Sequence, residues 1–357
     1  MITTGGTGGH VFPGLAVADA LAARGASVFW LGTREGMEAT LVPKHGVAFE
    51  PVSFRGVRGK GLRTLLLGPF ALVAACLEAL RVIRRRKPDV VLGLGGFASF
   101  PGALMGVASG RPLVVHDANA VAGLANRVLA YGADRVLLGF ADAMRGRHAS
   151  IVEWTGNPLR EAITSLPPPD ARFDGRAGPL RLLVLGGSLG AQGLNERVPA
   201  ALAQFAAAAR PQVVHQAGAK HIDSVKAAYR DAGVDAECVA FIDDVASRYA
   251  WADLAITRGG ALTVSELAAV GLGALIVPLP GAIADEQTAN AEALVRAGAA
   301  VRMSQDEATP SAIAAFLSRV GTRQSALEMA RAARAAGRPD AAARVAEACL
   351  ALAEPRS

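Results

Sequence analysis

The sequence predicts an α/β protein with two doubly wound parallel sheets, one in each half of the chain. Continuous apolar runs such as DVVLGLG and RLLVLGG alternate with helical stretches, which is typical of parallel strands covered on both faces. A glycine-rich loop follows the first strand of each half, GGTGGH at Gly5 and GGSLGA at Gly186. With 357 residues, the chain has room for two domains. We expect these domains to face a cleft, each contributing its glycine loop.

The strands can be placed in order along both halves. The chain starts only four residues before Gly5, so most of the first strand is missing: either the true start lies upstream or the first sheet is trimmed at that strand. A proline-rich stretch at residues 165–179 is typical of a surface connection between the halves. The other strand candidates are Ser27–Gly32, Asp89–Leu94, Pro112–His116, Arg135–Gly139, Leu180–Leu185, Gln212–Gln216, Cys238–Phe241, Leu254–Thr257 and Ala274–Pro278.

Composition narrows the function classes. Hydrophobic residues make up 52% and charged residues 19%, which favours a large core over disorder. Aromatic residues at 5% argue against a stacking platform for single-stranded nucleic acid, and we predict no nucleic-acid partner. A net charge of +6 favours an anionic partner, such as a phosphorylated substrate or an acidic lipid surface. The three cysteines lack disulfide or zinc spacing and no signal-peptide pattern is visible, so we expect a reducing cytoplasm.

The opening loop predicts a site for an anionic ligand beside an ionisable side chain. Glycines let a ligand approach the backbone closely, and a helix N-terminus offers unpaired N–H groups to a phosphate. The helix dipole favours the neutral form of His10, which can then act as a general base toward a hydroxyl. Two structural alternatives stay open: the glycines form a plain tight turn, and His10 only caps or bonds the loop.

A third loop, Thr257–Gly271, again follows a strand and leads into a helix. Glu266 on this helix can accept hydrogen bonds from a ribose diol, or simply complement the helix dipole. Downstream, Gln287 and Asn290 are polar groups able to contact sugar hydroxyls. In the first half, His116 ends a strand, and Asn119 follows three residues later.

Two other chemistries have less support. A dinucleotide enzyme needs an acidic residue after its second strand, but SVFWLGT ends in Thr33-Arg34, which disfavours NAD and leaves NADP bound by Arg34 as a weak alternative. No Asp-x-Asp or His-x-x-x-His pair occurs, so we predict no metal site.

Leu65–Leu77 is an uncharged segment too short to span a bilayer. Such a segment between clusters of cations resembles an interfacial membrane anchor, and the alternative is an ordinary helix packed on the sheet. The flanking cations are Arg55, Arg58, Lys60, Arg63, Arg81, Arg84, Arg85, Arg86 and Lys87.

Eight motifs occur in the order found in one family: GGTGGHVFPGLAVA, GVRGKG, KPDVVLGLGGFAS, GNPLR, GGSLGAQGLN, FIDD, GGALTVSELAAVGLGALIVPLP and DEQTANA. Over essentially its whole length, the chain therefore resembles the MurG family, the bacterial peptidoglycan N-acetylglucosaminyltransferases. The resemblance implies a GT-B architecture of two Rossmann-like domains. It also implies an inverting transfer of GlcNAc from UDP-GlcNAc to the MurNAc 4-hydroxyl of lipid I, which gives lipid II without a cofactor.

The resemblance also carries site residues onto this sequence. His10 matches the histidine considered for catalysis. Ser188 and loop amides are implied for the diphosphate, the Ile242 main chain for uracil, Glu266 for ribose and Gln287 for GlcNAc. The implied UDP-GlcNAc contacts are Thr7, Gly8, Gly9, Asn119, Arg160, Ser188, Ile242, Ala261, Leu262, Thr263, Val264, Ser265, Glu266 and Gln287.

The family also implies an organisation and a location. Residues 1–156 would form the acceptor-binding and membrane-facing domain, residues 157–340 the UDP-GlcNAc domain, and residues 341–357 a helix packed back on the first domain. The protein would sit peripherally on the anionic cytoplasmic face of the inner membrane, where it would meet lipid I and wall-synthesis proteins of unknown identity. The chain departs from the family pattern at Asp117-Ala118, where Glu-Gln is common, and at Leu189, where glutamine is common.

Two further functions remain open at this point. One is another GT-B enzyme that uses UDP-GlcNAc, such as a sugar-nucleotide epimerase or a diacylglycerol glycosyltransferase. The other is a membrane-docked protein that binds a sugar nucleotide as a sensor without turnover.

Overall fold

The computed structural model describes residues 1–54, 61–144, 150–187, 190–282 and 285–353. Within helix 61–86, the side chains of residues 61–67 are also outside the description. The chain divides into two compact units, one of Met1–Glu161 with Arg338–Ser357 and the other of Ala162–Gly337.

The first unit is built on a seven-stranded parallel sheet. Its strands are β1 (Ile2–Thr3), β2 (Phe29–Thr33), β3 (Ala48–Val52), β4 (Val91–Gly93), β5 (Leu113–Asp117), β6 (Arg135–Leu138) and β7 (Val152–Trp154). Its first five helices are α1 (Gly8–Ala22), α2 (Glu38–Lys44), α3 (Gly61–Arg86), α4 (Ser99–Ala108) and α5 (Leu124–Leu129). The strand order is β3-β2-β1-β4-β5-β6-β7, so the short β1 lies between β2 and β4.

The second unit is built on a six-stranded parallel sheet. Its strands are β8 (Arg181–Leu185), β9 (Gln212–Gln216), β10 (Glu237–Val239), β11 (Leu254–Thr257), β12 (Gly273–Ile276) and β13 (Ala300–Arg302). Its helices are α6 (Glu161–Thr164), which begins at the end of the first unit, α7 (Pro169–Phe173), α8 (Gln192–Leu202), α9 (Ile222–Asp231), α10 (Val245–Trp251), α11 (Ala261–Val270), α12 (Glu286–Arg296), α13 (Pro310–Arg319) and α14 (Arg323–Ala336). The strand order is β10-β9-β8-β11-β12-β13.

A last helix, α15 (Ala341–Ala353), belongs to the first unit and packs against α1. Its residues Val345, Ala346 and Cys349 are buried in the same core cluster as Val11 and Leu15 of α1. The first unit therefore combines segments from both ends of the chain.

Both sheets have the doubly wound topology that the alternating pattern predicts. In each, the order reverses between the first and fourth strands, as in Rossmann-like folds. Helices cover both faces because the strands are apolar on both sides, as shown by fully buried Leu182, Leu183 and Val184 of β8.

All nine strand candidates correspond to strands, with bounds that differ by up to two residues at either end. Three strands were not predicted: β3, β7 and β13. All three lie at or beside an edge of their sheet, and the exposed residues of β7, such as Glu153 and Trp154, break the apolar pattern.

The proline-rich stretch is not the simple surface connection that its composition predicts. It contains α7, whose Phe173 is buried in the core of the second unit. The guanidinium of Arg172 is also buried and donates to the carbonyls of Tyr249, Val270 and Gly271. Burial lowers the pKa of Arg172 to about 10. The composition did not predict this helix because prolines occur at helix starts as well as in loops, and Pro169 starts α7 here.

Among the described residues, no helix has both the length and the apolar character needed to cross a bilayer. The long helix α3 nevertheless exposes three large apolar side chains, Phe70 at 74%, Val73 at 59% and Leu77 at 48%. Spacings of three and four residues place these side chains on one face of the helix.

Candidate active-site loops

Doubly wound sheets bind ligands at the carboxyl ends of their strands, where the strand order reverses. In the first unit this point lies between β1 and β4, so the loops after Thr3 and Gly93 meet there. The Thr4 hydroxyl donates to the Gly95 carbonyl at 3.0 Å. A Cβ at Gly96, whose φ is +75°, would lie 2.6 Å from the Gly5 carbonyl oxygen. Only glycine permits this backbone approach.

The predicted ligand loop leads directly into α1. Thr7 is its exposed N-cap residue, with an extended backbone and no side-chain cap on the first turn. Gly8 and Gly9 are the first two helical residues. Uncapped amides of a first helical turn need a partner, which a ligand can supply. This geometry suits the family contacts implied for Thr7, Gly8 and Gly9.

His10 lies in this first turn and contacts the second loop. Its ring hydrogen-bonds the backbone of Leu94. Nδ1 is buried and has no hydrogen-bond partner. Burial lowers the pKa of His10 from its ordinary 6.5, while the Asp117 carboxylate and the Leu94 carbonyl act in the opposite direction. The imidazole is therefore neutral at neutral pH, and its Nδ1 lies near Gly95.

The end of β5 places His116 and Asp117 beside His10. The Asp117 carboxylate accepts from the Asn119 amide at 3.1 Å, from the Gly123 amide at 2.9 Å and from Asn126 Nδ2 at 2.9 Å. His116 is fully buried with Nε2 3.0 Å from the Gly156 carbonyl oxygen, and burial lowers its pKa. Although shorter than the glutamate common in the family, Asp117 thus holds the loop that carries Asn119.

The GNPLR motif follows β7 in the same unit. The Asn157 side chain donates to the Ala118 carbonyl at 2.9 Å. Ala118 is the second position at which the chain departs from the family pattern, and this contact holds it through its backbone carbonyl. The Arg160 guanidinium lies 4.8 Å from the centroid of the Phe12 ring, a cation–π distance. Phe12 also lies against Gly8, where an added Cβ would be 3.1 Å from its ring. Arg160 is thereby placed near the first glycine loop.

In the second unit, the corresponding loop follows β8. A Cβ at Gly190 would lie 2.1 Å from the Ala217 carbonyl oxygen, and one at Gly186 would lie 2.7 Å from the Ala191 amide nitrogen. Glycine is therefore required where this loop passes β9. Ser188, predicted to contact the diphosphate, and Leu189 lie outside the described residues, as do Arg55, Arg58 and Lys60.

The six residues Ala261–Glu266 form the first part of α11, directly after the Gly259-Gly260 turn. Gly260 is the N-cap residue and supplies no side-chain cap. Glu266 is only 7% exposed and accepts a hydrogen bond from the Tyr249 hydroxyl at 2.9 Å. The carboxylate is thus held in place from α10, a contact that no sequence pattern predicts.

Gln287 and Asn290 on α12 both contact the β11–α11 turn. Gln287 Oε1 accepts from the amides of Gly259 at 3.2 Å and Leu279 at 2.9 Å, which leaves its Nε2 group facing away from these amides. Asn290, predicted to contact a sugar, is fully buried and donates to the Gly259 carbonyl at 3.1 Å. That prediction was wrong: at 0% exposure, Asn290 supports the turn from beneath.

Arg258 is a feature of this edge that the sequence analysis missed. Its guanidinium donates to the carbonyls of Val277 and Pro278 and to Gln305 Oε1. Burial lowers the pKa of Arg258, and the nearby charge of Arg197 lowers it further. Its position directly after a buried strand was a usable signal.

Ile242, in the loop between β10 and α10, is 9% exposed. Asp244 caps α10 through the Ser247 amide at 3.1 Å.

The structure therefore gathers the predicted residues at two edges. Thr7, Gly8, Gly9, His10 and Asn119 lie at the carboxyl edge of the first sheet, and Ala261–Glu266 with Gln287 lie at that of the second. His215 is buried on β9 between Tyr229 and Asn195, and burial lowers its pKa to about 3. In the described part of the chain, no group of three or more His, Cys, Asp or Glu side chains could hold a metal ion.

Two doubly wound parallel sheets with glycine loops at their reversal points agree with the architecture of GT-B glycosyltransferases. Residues 1–138 match the N-terminal domain of glycosyltransferase family 28, and residues 181–345 match its C-terminal domain. The chain belongs to the MurG family of these enzymes, as its full-length relatives show.

Two of these relatives, from Burkholderia thailandensis and Burkholderia pseudomallei, are each named UDP-N-acetylglucosamine–N-acetylmuramyl-(pentapeptide) pyrophosphoryl-undecaprenol N-acetylglucosamine transferase. Each is 54% identical over 357 residues, which cover 99% of this chain and 96% of the relative. The crystal structure of Acinetobacter baumannii MurG is 36% identical, with a TM-score of 0.83 over 98% of this chain and 99% of that one. A Rickettsia africae glycosyltransferase is 12% identical, with a TM-score of 0.66 over 98% of this chain and 96% of that one, and shares the fold.

Proposed function

We propose that this protein transfers GlcNAc from UDP-GlcNAc to the 4-hydroxyl of the MurNAc of lipid I and so forms lipid II. The observation that carries the proposal is the 54% identity, over nearly the full length, to transferases named for this reaction. The site agrees with it: the residue types needed for a nucleotide, a sugar and a proton acceptor are present at the carboxyl edges of the two sheets.

The second unit is proposed to bind the donor. The uncapped first turn of α11 favours the diphosphate because its amides and the helix dipole attract an anion. The Glu266 carboxylate, oriented by Tyr249, accepts from the ribose hydroxyls. The Gln287 carbonyl oxygen already accepts from two backbone amides, so its NH₂ group is the part available to a GlcNAc hydroxyl. The Ile242 main chain completes the site at the uracil.

The first unit is proposed to bind the acceptor and activate it. Neutral His10 takes the proton of the MurNAc 4-hydroxyl as that oxygen attacks the anomeric carbon of GlcNAc. The new glycosidic C–O bond forms while the bond to the diphosphate oxygen breaks, so UDP leaves with the electron pair and the anomeric configuration inverts. A lowered His10 pKa keeps the base unprotonated at neutral pH.

The exposed face of α3 is proposed to dock the enzyme on the anionic cytoplasmic surface of the inner membrane. Phe70, Val73 and Leu77 are exposed on this face, and exposed Arg81 and Arg84 follow on the same helix. Apolar side chains beside cations suit an interfacial anchor. Arg85 and Arg86 instead pair with Glu50, at 2.5 and 2.8 Å. Because these two arginines already have an anionic partner, fewer than the nine candidate cations are proposed to face the membrane.

A transfer assay tests the proposed function. Purified protein is incubated with radiolabelled UDP-GlcNAc and a lipid I analogue, and the lipid-linked product is separated from free sugars. Label in the disaccharide lipid, dependent on the acceptor, is the expected result. Epimerised or free sugar without lipid product would instead identify a different UDP-GlcNAc enzyme, and donor binding without turnover would identify a sensor.

A further inference from the structure

A buried carboxylate lies directly behind the first glycine loop. Glu38, the first residue of α2, is 0% exposed. Its Oε2 accepts from the Gly6 amide at 3.1 Å. Its Oε1 accepts from the Thr33 amide at 3.0 Å and from the Thr33 hydroxyl at 2.6 Å. In the described part of the chain no cationic side chain pairs with it, so these three hydrogen bonds compensate its burial.

Three glycines make room for this carboxylate. An added Cβ would lie 2.0 Å from Glu38 Oε1 at Gly5, 2.2 Å from Oε2 at Gly36 and 2.7 Å from Cγ at Gly32. Gly5, Gly32 and Gly36 have no left-handed φ, so close approach and not backbone conformation requires glycine at these positions. Two loops, after β1 and after β2, are therefore shaped around one side chain.

The contact at Gly6 bears on the site itself. A glycine loop at the carboxyl end of a first strand ordinarily presents its amides to a bound anion. Here the amide of Gly6, whose φ is +110°, already donates to an anion belonging to the protein. Gly6 is followed by the N-cap residue Thr7 and the first helical turn with His10, so whatever fixes Gly6 also fixes the start of α1.

We propose that Glu38 is a positioning residue for the transfer reaction: its carboxylate fixes the Gly6 amide, and through it the first turn of α1 and His10. The Gly6 amide is consequently unavailable to the substrate diphosphate. The proposal rests on the proposed function for its consequence in turnover, but the Gly6–Glu38 contact can be tested without turnover.

The test compares two variants that each remove one hydrogen bond from the same carboxylate. In Glu38→Gln, the carbonyl oxygen can still accept from Thr33, whereas the NH₂ group cannot accept from Gly6. In the matched control Thr33→Val, the hydroxyl donor is lost and the Gly6 contact stays. Folded fraction by circular dichroism, kcat, the dissociation constant of UDP and hydrogen exchange of the Gly6 amide are measured for both.

For Glu38→Gln we expect kcat per folded molecule to fall roughly tenfold to a hundredfold, the range that a displaced catalytic group costs. UDP affinity should stay within about twofold because the contacts proposed for uracil, ribose and diphosphate lie in the second unit. Gly6 exchange should accelerate about tenfold or more, as loss of a charge-assisted bond implies. Thr33→Val should change stability without these effects.

Equal kcat per folded molecule and equal Gly6 exchange in the two variants would overturn the proposal. Should Glu38→Gln fail to fold, Gly36→Ala provides a second variant, because its Cβ would lie 2.2 Å from Glu38 Oε2 and must displace the carboxylate. Its kcat should fall in the same way, and an unchanged value would count equally against the proposal. Absence of transfer by the unaltered protein would contradict the proposed function alone, since Gly6 exchange still reports the contact.

Discussion

Burial sets the protonation state of His10. Its ring hydrogen-bonds the backbone of Leu94, and its pKa lies below the ordinary 6.5 because the ring is buried. A general base is active only when unprotonated, so turnover is present above this pKa and is lost as the pH falls through it. The acidic limb of the kcat–pH profile is therefore expected below pH 6.5, the ordinary pKa.

Substituting His10 with Ala or Gln separates a chemical role from a structural one. Glutamine can keep a donor toward Leu94 but cannot take up a proton. We expect both variants to lose turnover by about 10²-fold or more, with UDP-GlcNAc affinity retained, and to lose the acidic limb. Recovery of near-normal kcat in His10→Gln would show that the histidine only supports the loop.

Glu266 is expected to contribute to donor binding through the ribose. Charge-assisted hydrogen bonds contribute roughly 1.5–3 kcal/mol, so Glu266→Ala should raise the dissociation constants of UDP-GlcNAc and UDP about tenfold to a hundredfold. Tyr249→Phe removes a neutral donor to the same carboxylate, and its effect should be about twofold to tenfold. Isothermal titration calorimetry measures both.

Exposed Glu328 on α14 offers a matched control, because Glu328→Ala removes a carboxylate that accepts from Gln324 on the same helix. This variant should bind UDP normally. If Glu266→Ala bound UDP as well as the control and lost only thermal stability, the carboxylate would belong to the helix and not to the ligand site.

The sequence predicts a site residue when the strand and helix next to it in the chain determine its position. Thr7 to His10 and Ala261 to Glu266 could be found because each set follows a strand and opens a helix. Burial by distant residues could not be found: Asn290 occurs in a polar motif, yet its amide donates to a turn 31 residues away. Glu38 was missed for the same reason, since its partner Gly6 is 32 residues distant.

Strands were predictable where the whole strand is apolar. β8 and β11 lie at the centre of their sheet, and their continuous hydrophobic runs made them recognisable. β3 reads AFEPV, in which Glu50 accepts from two arginines of α3 and Pro51 interrupts a strand pattern. Such strands form because they pack and hydrogen-bond against neighbouring strands of the sheet. The local sequence does not encode these contacts.

Helix α3 provides a test of membrane docking at the scale of one element. Changing Arg81 and Arg84 to Ser removes two exposed cations and leaves the Glu50 pairs of Arg85 and Arg86 intact. Each cation near an anionic surface contributes about 1 kcal/mol, so binding to anionic vesicles should weaken roughly thirtyfold at low salt. Vesicle sedimentation measures the partition constant.

A second α3 variant, Phe70→Ser with Leu77→Ser, removes apolar surface and should weaken binding to anionic and neutral vesicles alike. As a matched control, Lys220→Ser with Arg230→Ser removes two exposed cations from the second unit and should change nothing. Equal losses in this control and in the Arg81 and Arg84 variant would mean that general net charge, and not α3, directs binding.

At the scale of the whole molecule, α15 stabilises the first unit from the far end of the chain. Val345 is 0% exposed against α1, so Val345→Ala should destabilise this unit by on the order of 2 kcal/mol through lost burial and a small cavity. Its melting temperature should fall roughly 4–8 °C, whereas the UDP affinity of the second unit should not change.

Cys349 reports on the same contact. Burial raises the pKa of this thiol to about 12, so it should resist thiol reagents until α15 opens. In a background with Cys76 and Cys238 changed to Ser, Val345→Ala should accelerate labelling of Cys349 about thirtyfold, the population change that 2 kcal/mol implies. Fast labelling in the unaltered background would mean that α15 is not held against α1.

The placement of α15 also fixes the order in which the protein can mature on the ribosome. Residues 162–337 are contiguous and can complete their sheet as soon as they emerge, but the first unit lacks a wall of its core until Val345 and Cys349 have been made. At about 5–20 residues per second, the interval between Glu161 and α15 lasts roughly 9–36 seconds. During that time the face of α1 that packs against α15 has no permanent partner. The part of the protein that is synthesised first is the part that finishes folding last.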